Sequence, residues 1–243
     1  REVHPNLSVR LVHPFQSNVN YPDDDAPLFV SGEEPASYYG QPTVLSIGLD
    51  SAHPLSVGDG VTVAVIDNGI DRTHPLFDSL PAPLLYDLVD SDYDPGEVPG
   101  AVYGHGTFTA GLIRLAAPAA ELMIIRAFDS TGAATVFTIS QAIYWAVAYG
   151  ADIINMSFGT TTNNGVLALA CALAVDSGVT LVAAVGNSGI TVPVYPAAYP
   201  GVIAVGAIDS LDLIASFSNG YATDLCAPGI NLYSALPNPW LWG

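Results

Sequence analysis

Three polar residues have the chemistry of a general base, of the acid that orients it and of an oxyanion donor. Each lies next to an apolar run or a helical pattern. Asp67 ends the apolar run Val61–Asp67. His105 stands between two glycines ahead of a helical pattern, and Asn187 comes shortly after the apolar run Thr180–Val185. A buried carboxylate that accepts the Nδ1–H of a histidine fixes the imidazole tautomer, and a side-chain amide can donate to a developing oxyanion. These residue types together predict acyl transfer by nucleophilic attack.

Each of the three residues also has a plain structural interpretation. An Asp after a strand commonly accepts backbone N–H groups in a cap or turn, and Asn-Ser-Gly is typical of a loop. The setting of His105 favours chemistry, because Gly104 and Gly106 allow close approach of the backbone. Thr107 can cap the helix that follows. A helix N-terminus also disfavours a charged imidazole, which suits a neutral base.

From about residue 43 onward, short apolar runs alternate with helical patterns. The predicted strands are Val61–Asp67, Leu122–Phe128, Asp152–Ser157, Thr180–Val185 and Val202–Ile208, and the predicted helices are Thr107–Leu115, Val136–Tyr149 and Asn164–Ser177. Continuous apolar strands are typical of a parallel sheet buried on both faces, so the alternation predicts an α/β fold with a doubly wound, mostly parallel sheet flanked by helices. Sites in such sheets form at the carboxyl ends of strands, where Asp67, Ser157 and Asn187 fall.

Residues 1–42 differ from the rest of the chain. They contain six prolines and two short acidic runs, and no helix or strand period is sustained there. We interpret them as an N-terminal extension or linker, and residues 43–243 as the domain that carries the site.

Composition excludes several classes of protein. The formal charge is −18 and the chain has no lysine, so its surface repels phosphate backbones and nucleic-acid binding is not expected. The longest apolar stretch, Val166–Val175, is too short to span a bilayer.

Cys171 and Cys226 are expected to be small buried thiols. A disulfide between them needs Cα atoms within about 7 Å, which the sequence does not reveal.

Several segments together resemble the subtilisin-like serine proteases (subtilases) and occur in the order that this family has them. The segments are Val65–Asp71 with His74-Pro75, Gly104–Thr107 with Ala110-Gly111, Asn155–Gly159, Ala183–Asn187, Tyr195–Ala207 and Ala227–Gly229. The resemblance implies a serine endopeptidase in which Asp67 orients His105, His105 takes the proton of the serine, and Asn187 holds the oxyanion. Asn68 stands where the family usually has Thr or Ser, and Phe108 where a second His is common.

The resemblance also implies an extended peptide substrate that adds as a β-strand to two cleft edges. One edge would be Ser157, Phe158 and Gly159, the other Gly132, Ala133 and Ala134, and a pocket for the residue before the scissile bond would lie between the first edge and Ala184, Val185 and Gly186. No charged residue is evident in that pocket wall, so we expect an apolar or undemanding pocket. We further expect a secreted monomer with no membrane partner and no organic cofactor.

An acidic segment between Asp67 and His105 contains Asp87, Asp90, Asp92 and Asp94. Closely spaced carboxylates in a loop suit a hard cation, and several subtilases bind calcium in the corresponding loop. The resemblance therefore implies a structural calcium ion here. The alternative is a solvated acidic turn.

The family's serine motif follows the Ala-Pro-Gly turn and is not found within the 243 residues, so we expect residues 1–243 alone to lack peptidase activity. Ser234 lacks the glycine and helix start that a nucleophile needs, and we interpret it as structural.

Residues 1–6 resemble the tail of a subtilase propeptide. Two other functions remain open: a non-catalytic homologue that binds peptides or serves as a scaffold, and a nucleotide-binding doubly wound domain. The second lacks both G-x-G-x-x-G and a P-loop lysine.

Overall fold

The structure is a computed structural model that describes residues 8–11, 36–77 and 80–237. The helices in this part are α1 (Ala36–Tyr39), α2 (Pro42–Ser46), α3 (Leu49–Ala52), α4 (His105–Ala116), α5 (Val136–Ala148) and α6 (Gly165–Asp176). The strands are β1 (Ser8–Leu11), β2 (Thr62–Asp67), β3 (Leu85–Asp87), β4 (Glu121–Arg126), β5 (Ala133–Thr135), β6 (Ile153–Met156), β7 (Phe158–Gly159), β8 (Thr180–Ala184), β9 (Val202–Ile208) and β10 (Leu225–Pro228).

Seven strands form one sheet in the order β10-β9-β8-β6-β2-β4-β3, and every neighbouring pair is parallel. The predicted α/β fold with a doubly wound parallel sheet is confirmed. All five predicted strands and all three predicted helices are present, with ends displaced by at most two residues. Gly150 has φ +83° directly after the last turn of α5, a conformation in which glycine commonly ends a helix.

The two faces of the sheet are buried by different helices. On β2, Ala64 and Ile66 belong to the core that includes residues of α5 and α6. Val63 and Val65 point to the other face, into the core that includes Ala110 of α4. Because side chains alternate along a strand, covering both faces requires the continuous apolar run that β2 has.

The N-terminal segment holds regular structure that the sequence did not predict. Strand β1 pairs antiparallel with β5 and β7 in a separate three-stranded sheet of order β5-β1-β7. Tyr38 of α1 is fully buried beside Leu115 of α4, and its hydroxyl donates to Gly111 O at 2.5 Å. The predicted division at residue 42 stays a prediction. The proposed propeptide tail at residues 1–6 lies outside the described residues.

The two cysteines have different surroundings. Cys171 on α6 is buried, and desolvation raises the pKa of its thiol to about 12, so it is an inert core residue. The prediction that Cys226 is also buried was wrong. Cys226 lies on β10, the edge strand of the seven-stranded sheet, and its side chain is exposed. Neither cysteine is in a disulfide.

In the part of the chain that the structure describes, no helix has the length and apolar character needed to cross a membrane.

Candidate active site

The carboxyl end of β2 and the first residue of α4 meet in a buried hydrogen bond between a carboxylate and an imidazole. Asp67 Oδ1 lies 2.7 Å from His105 Nδ1, and the two side chains are 0% and 2% exposed. The same oxygen accepts the N–H of Asn68 at 2.8 Å. Asp67 Oδ2 is buried and has no hydrogen-bond partner in the described residues. A carboxylate placed in this way holds a neutral imidazole in the tautomer that carries the proton on Nδ1.

The first turn of α4 is capped by residues from other segments. The N-cap residue is Gly104, which has φ +92° and no side chain to accept a hydrogen bond. Gly106 N donates to Asn68 Oδ1 at 2.9 Å, and Thr107 N donates to Glu97 Oε1 at 2.7 Å. The prediction that Thr107 caps the helix was wrong, because Thr107 lies inside the first turn and its hydroxyl donates to Glu97 at 2.7 Å.

Gly106 allows α4 to approach the strand end closely. A Cβ atom at this position would lie 2.0 Å from the carbonyl oxygen of Gly69. A larger residue would therefore push the helix away from β2 and separate His105 from Asp67. This contact gives a physical reason for the glycine that follows His105.

His105 lies in the wall of a cavity of about 960 Å³ at the carboxyl ends of β6 and β8. The predicted site residues that line the same cavity are Ser157, Ala184, Val185, Gly186 and Asn187. The structure thus brings the predicted oxyanion donor and the predicted pocket wall to the same cavity as the Asp67–His105 pair. The parallel sheet explains this, because the carboxyl ends of its strands lie along one edge.

Asn219 supports the loop that carries Asn187, and sequence reasoning missed it. Its side chain is buried, donates to Val185 O at 2.8 Å and accepts the N–H groups of Ser188 and Ile190 at 3.0 Å. Gly186 has φ +103°, and a Cβ there would lie 2.4 Å from Asn219 Nδ2. In sequence, Ser-Asn-Gly is an ordinary polar turn, so no local signal identifies this residue.

The two predicted cleft edges flank β1. Val9 is in register with Ala134, and Arg10 with both Ala133 and Gly159. Leu11 N donates to Gly132 O at 3.2 Å. The chain's own N-terminal strand therefore lies between the two segments that the sequence predicts to be cleft edges.

Strand β1 has two distinct faces. Val9 and Leu11 are buried, whereas Ser8 and Arg10 are exposed. Leu11 pairs with Phe158, which is next in sequence to the cavity residue Ser157. The C-terminal end of β1 therefore points to the cavity that holds His105.

Phe158, predicted to belong to a cleft edge, has a buried side chain. Its side chain is fully buried and packs against Phe128, with ring centroids 5.2 Å apart. Gly159 has a different constraint, since a Cβ there would lie 2.5 Å from a methyl group of Val194.

The acidic segment predicted to bind calcium is arranged around an arginine. The Arg126 guanidinium lies 2.5 Å from carboxylate oxygens of both Asp87 and Asp90. Asp94 pairs with Arg72 at 3.0 Å, and Asp92 accepts the N–H of Asp94. Within residues 8–11, 36–77 and 80–237, no group of three or more His, Cys, Asp or Glu side chains is placed to hold a metal ion. The arrangement does not fit a calcium ion, because a guanidinium occupies the position between the carboxylates.

Ser234 packs against α4. Its hydroxyl donates to Phe108 O at 2.6 Å, and its side chain is largely buried. A Cβ on Gly111 would lie 2.3 Å from this hydroxyl. These contacts agree with the structural interpretation of Ser234.

Comparison with known proteins gives a consistent match. A family model described as "Subtilase family" matches residues 58–239. A thermophilic serine proteinase of Bacillus sp. (strain AK1) is 39% identical over 188 residues, which are 73% of this chain and 46% of that protein. Subtilisin E of Bacillus subtilis (strain 168) is 36% identical over 232 residues, covering 88% of this chain and 59% of that protein. The chain spans about half the length of these two relatives.

A solved structure agrees with the sequence matches. The crystal structure of a cold-adapted subtilisin-like serine proteinase superposes with a TM-score of 0.66 at 32% identity, covering 74% of this chain and 67% of that one.

Proposed function

The chain belongs to the subtilase family, and on that premise we propose that the protein is a serine endopeptidase that cleaves peptide bonds through an acyl-enzyme. The observation that carries the proposal is the buried 2.7 Å contact between Asp67 and His105, beside a cavity that Asn187 also lines. A base held by a carboxylate next to an amide donor matches the needs of acyl transfer.

In the proposed reaction His105 accepts the proton of the serine hydroxyl as that oxygen attacks the peptide carbonyl. Asp67 remains ionised, holds the imidazole through Nδ1–H and stabilises the imidazolium that forms. The Asn187 amide donates to the oxyanion, and His105 then returns the proton to the leaving amine. Loss of such an amide donor lowers kcat by roughly 10²–10³, a magnitude established for subtilisin.

The nucleophile in this proposal is a serine supplied by the full-length protein. Ser234 does not fit the role, because its hydroxyl is bonded to Phe108 O against α4. We propose that residues 1–243 alone do not hydrolyse peptides. This expectation is separate from the roles of Asp67 and His105: turnover by purified residues 1–243 that a serine-directed inhibitor abolishes would contradict it.

The proposed substrate is an extended peptide that pairs antiparallel with β5 and β7. Strand β1 supports this, because it already makes that pairing and buries every second side chain. Main-chain pairing accepts many sequences, while the buried positions favour apolar residues such as Val9 and Leu11. Because β1 fills this path, the N-terminal segment must leave the cleft before another peptide binds, as expected of a precursor.

We also propose that the protein acts outside the cell as a monomer. The strongly acidic surface supports the second part, since a large net charge opposes self-association. The resemblance to subtilases supports the first.

The test uses the full-length protein with a chromogenic peptide substrate and a serine-directed covalent inhibitor. We expect turnover that the inhibitor abolishes, and a loss of roughly 10⁶ in kcat when His105 is replaced by Ala. His53→Ala is the matched control, because His53 lies at the opposite end of α4 beside Ala116 O. Peptide binding without turnover in the full-length protein would refute the enzyme and favour a non-catalytic peptide-binding homologue.

A further inference from the structure

Glu97 is a buried carboxylate that the proposed reaction does not use. Its side chain is 6% exposed and lies next to the first turn of α4. Oε1 accepts both the N–H and the hydroxyl of Thr107 at 2.7 Å, and Oε2 accepts the N–H of Gly104. Gly104 and Thr107 stand on either side of His105 in sequence, so one carboxylate holds the backbone before and after the proposed base.

The backbone of Glu97 is fixed to the segment that carries Asp67. Glu97 N donates to Ile70 O at 3.3 Å, and Ile70 N donates to Pro95 O at 2.9 Å. A Cβ on Gly69 would lie 2.6 Å from Pro95 O, so the two segments are in close contact. Glu97 therefore connects the chain after Asp67 to the helix that begins at His105.

We propose that Glu97 is a positioning residue that holds His105 in line with Asp67 through its hydrogen bonds to Gly104 and Thr107. This inference deepens the proposed function and rests on it, since it concerns the orientation of the proposed general base. Glu97 itself touches neither substrate nor the reacting atoms in this mechanism.

The ionisation of Glu97 depends on its burial and on these hydrogen bonds. Desolvation raises the pKa of Glu97 to about 7, although the hydrogen bonds from Thr107 and Gly104 oppose that rise; the charge on Asp67 adds to it. The charged form is thus unfavourable in this place and is retained at a cost in stability. The ionisable groups around it are Asp67, His105, and the side chains that share its cavity: Asp71, Arg72, Asp94 and Tyr103.

The test measures the His105 Nδ1–H signal by NMR in protein with ¹⁵N-labelled histidine, assigned with a His105→Gln variant. In the wild type we expect the ionisation of Glu97, whose pKa burial raises to about 7, to contribute to the pH dependence of this signal. In Glu97→Gln we expect that contribution to be absent from the pH curve and the Nδ1–H to exchange with water about tenfold faster, because the first turn of α4 opens more often.

Two further variants complete the experiment. Glu121→Gln alters an exposed carboxylate at the start of β4 and should behave as wild type. Thr107→Val removes one of the three hydrogen bonds to Glu97, together with the acceptor of the Asp71 N–H, and keeps the other two bonds to Glu97. It should give a smaller increase in exchange, which keeps the test decisive if Glu97→Gln fails to fold. Wild-type exchange together with an unchanged pH curve in Glu97→Gln would overturn the proposal. If Glu97→Gln does not fold, wild-type exchange in Thr107→Val would overturn it. The signal requires neither nucleophile nor substrate, so absence of hydrolysis would refute the proposed function without deciding this result.

Discussion

Asn68 Oδ1 accepts the N–H of Gly106 at 2.9 Å, so the residue after Asp67 binds the residue after His105. The Asn68 amide also donates to Val102 O at 2.8 Å, which places it between the strand end and the loop before α4. Two contacts therefore align the carboxylate with the imidazole. One joins the side chains of Asp67 and His105, and the other joins the side chain of Asn68 to the backbone of Gly106. The asparagine that departs from the family's usual Thr or Ser thus has a defined structural role here.

We expect Asn68→Ala to lower the free energy of unfolding by about 1–3 kcal/mol, because it leaves the buried N–H of Gly106 without its acceptor and removes one of the two donors to the Val102 carbonyl, the other being the N–H of His105. Urea unfolding followed by circular dichroism measures this value. Asn163→Ala is the control, since Asn163 is exposed and its side-chain oxygen accepts a hydrogen bond from the Tyr199 hydroxyl at 3.2 Å. Equal unfolding free energies for the two variants would show that the bridge from Asn68 to Gly106 is not stabilising.

Glu97 predicts a specific pH dependence of stability. Its pKa is raised from 4.5 to about 7 in the folded protein, so between these values the folded state binds a proton that the unfolded state has lost. The contribution of Glu97 to the free energy of unfolding is therefore complete below pH 4.5. It is lost as the pH rises through 7, which lowers the free energy of unfolding by roughly 3 kcal/mol. Urea unfolding from pH 4.5 to 8 measures the trend.

The change in net charge of this acidic protein also affects stability over that range, so the difference between variants is the informative quantity. Glu97→Gln cannot titrate, and we expect its stability to fall less than that of the wild type by the amount just given. Parallel curves for the two proteins would contradict the assignment of the titrating group to Glu97.

The sequence could predict the parts of the site that depend on local pattern. Asp67 ends an uninterrupted apolar run, and His105 stands in a short motif at a helix start, so both were identifiable from their neighbours in the chain. The parallel sheet then brings strand ends to one edge, which accounts for the common cavity of His105, Ser157 and Asn187.

The parts that escaped prediction depend on partners that lie far away in sequence. Asn219 acts on Val185, and Glu97 acts on Thr107 from a loop with no periodicity. Strand β1 is four residues long within a proline-rich stretch, and its partner strands come much later in the chain. The closely spaced carboxylates suggested calcium, because nothing in their sequence reveals that Arg126 reaches them from the neighbouring strand β4.

We expect Arg126→Met to be strongly destabilising, by about 3–5 kcal/mol, because it leaves the buried Asp87 carboxylate without a cation. Arg72→Met is the matched control: its pair with Asp94 is exposed, with side chains 43% and 72% accessible, and such pairs contribute at most about 1 kcal/mol. Thermal and urea unfolding of the two variants gives the comparison. A loss in Arg126→Met no larger than that in Arg72→Met would show that the ion pair is not required by the fold.

The same arrangement predicts the response to calcium. With Arg126 between Asp87 and Asp90, we expect the melting temperature to be the same in millimolar CaCl₂ and in a calcium chelator. A rise in melting temperature with calcium that Asp92→Asn abolishes would instead show that the loop rearranges to bind the ion, as the resemblance to subtilases implies.

Val9 gives the most direct test of what occupies the cleft. Its side chain is fully buried between β5 and β7, so Val9→Asp would place a charge in an apolar site, and β1 should leave the cleft rather than bury it. Ser8→Asp adds the same charge at the neighbouring exposed position of β1 and should leave the strand bound. The measurement is the affinity of each protein for a fluorescent peptide with the sequence of residues 1–11, by anisotropy.

When a segment of the protein itself fills a site, the apparent affinity of that site for an added peptide is reduced. The reduction is set by the fraction of molecules in which the site is open. We therefore expect Val9→Asp to bind the peptide at least about tenfold more tightly than the wild type or Ser8→Asp, since a tethered strand competes at a millimolar effective concentration. Equal affinity in all three proteins would mean that β1 does not compete for this cleft, and the antiparallel path proposed for substrates would then lose its main support. Tighter binding confined to Val9→Asp would identify the N-terminal strand as the occupant that a substrate must replace.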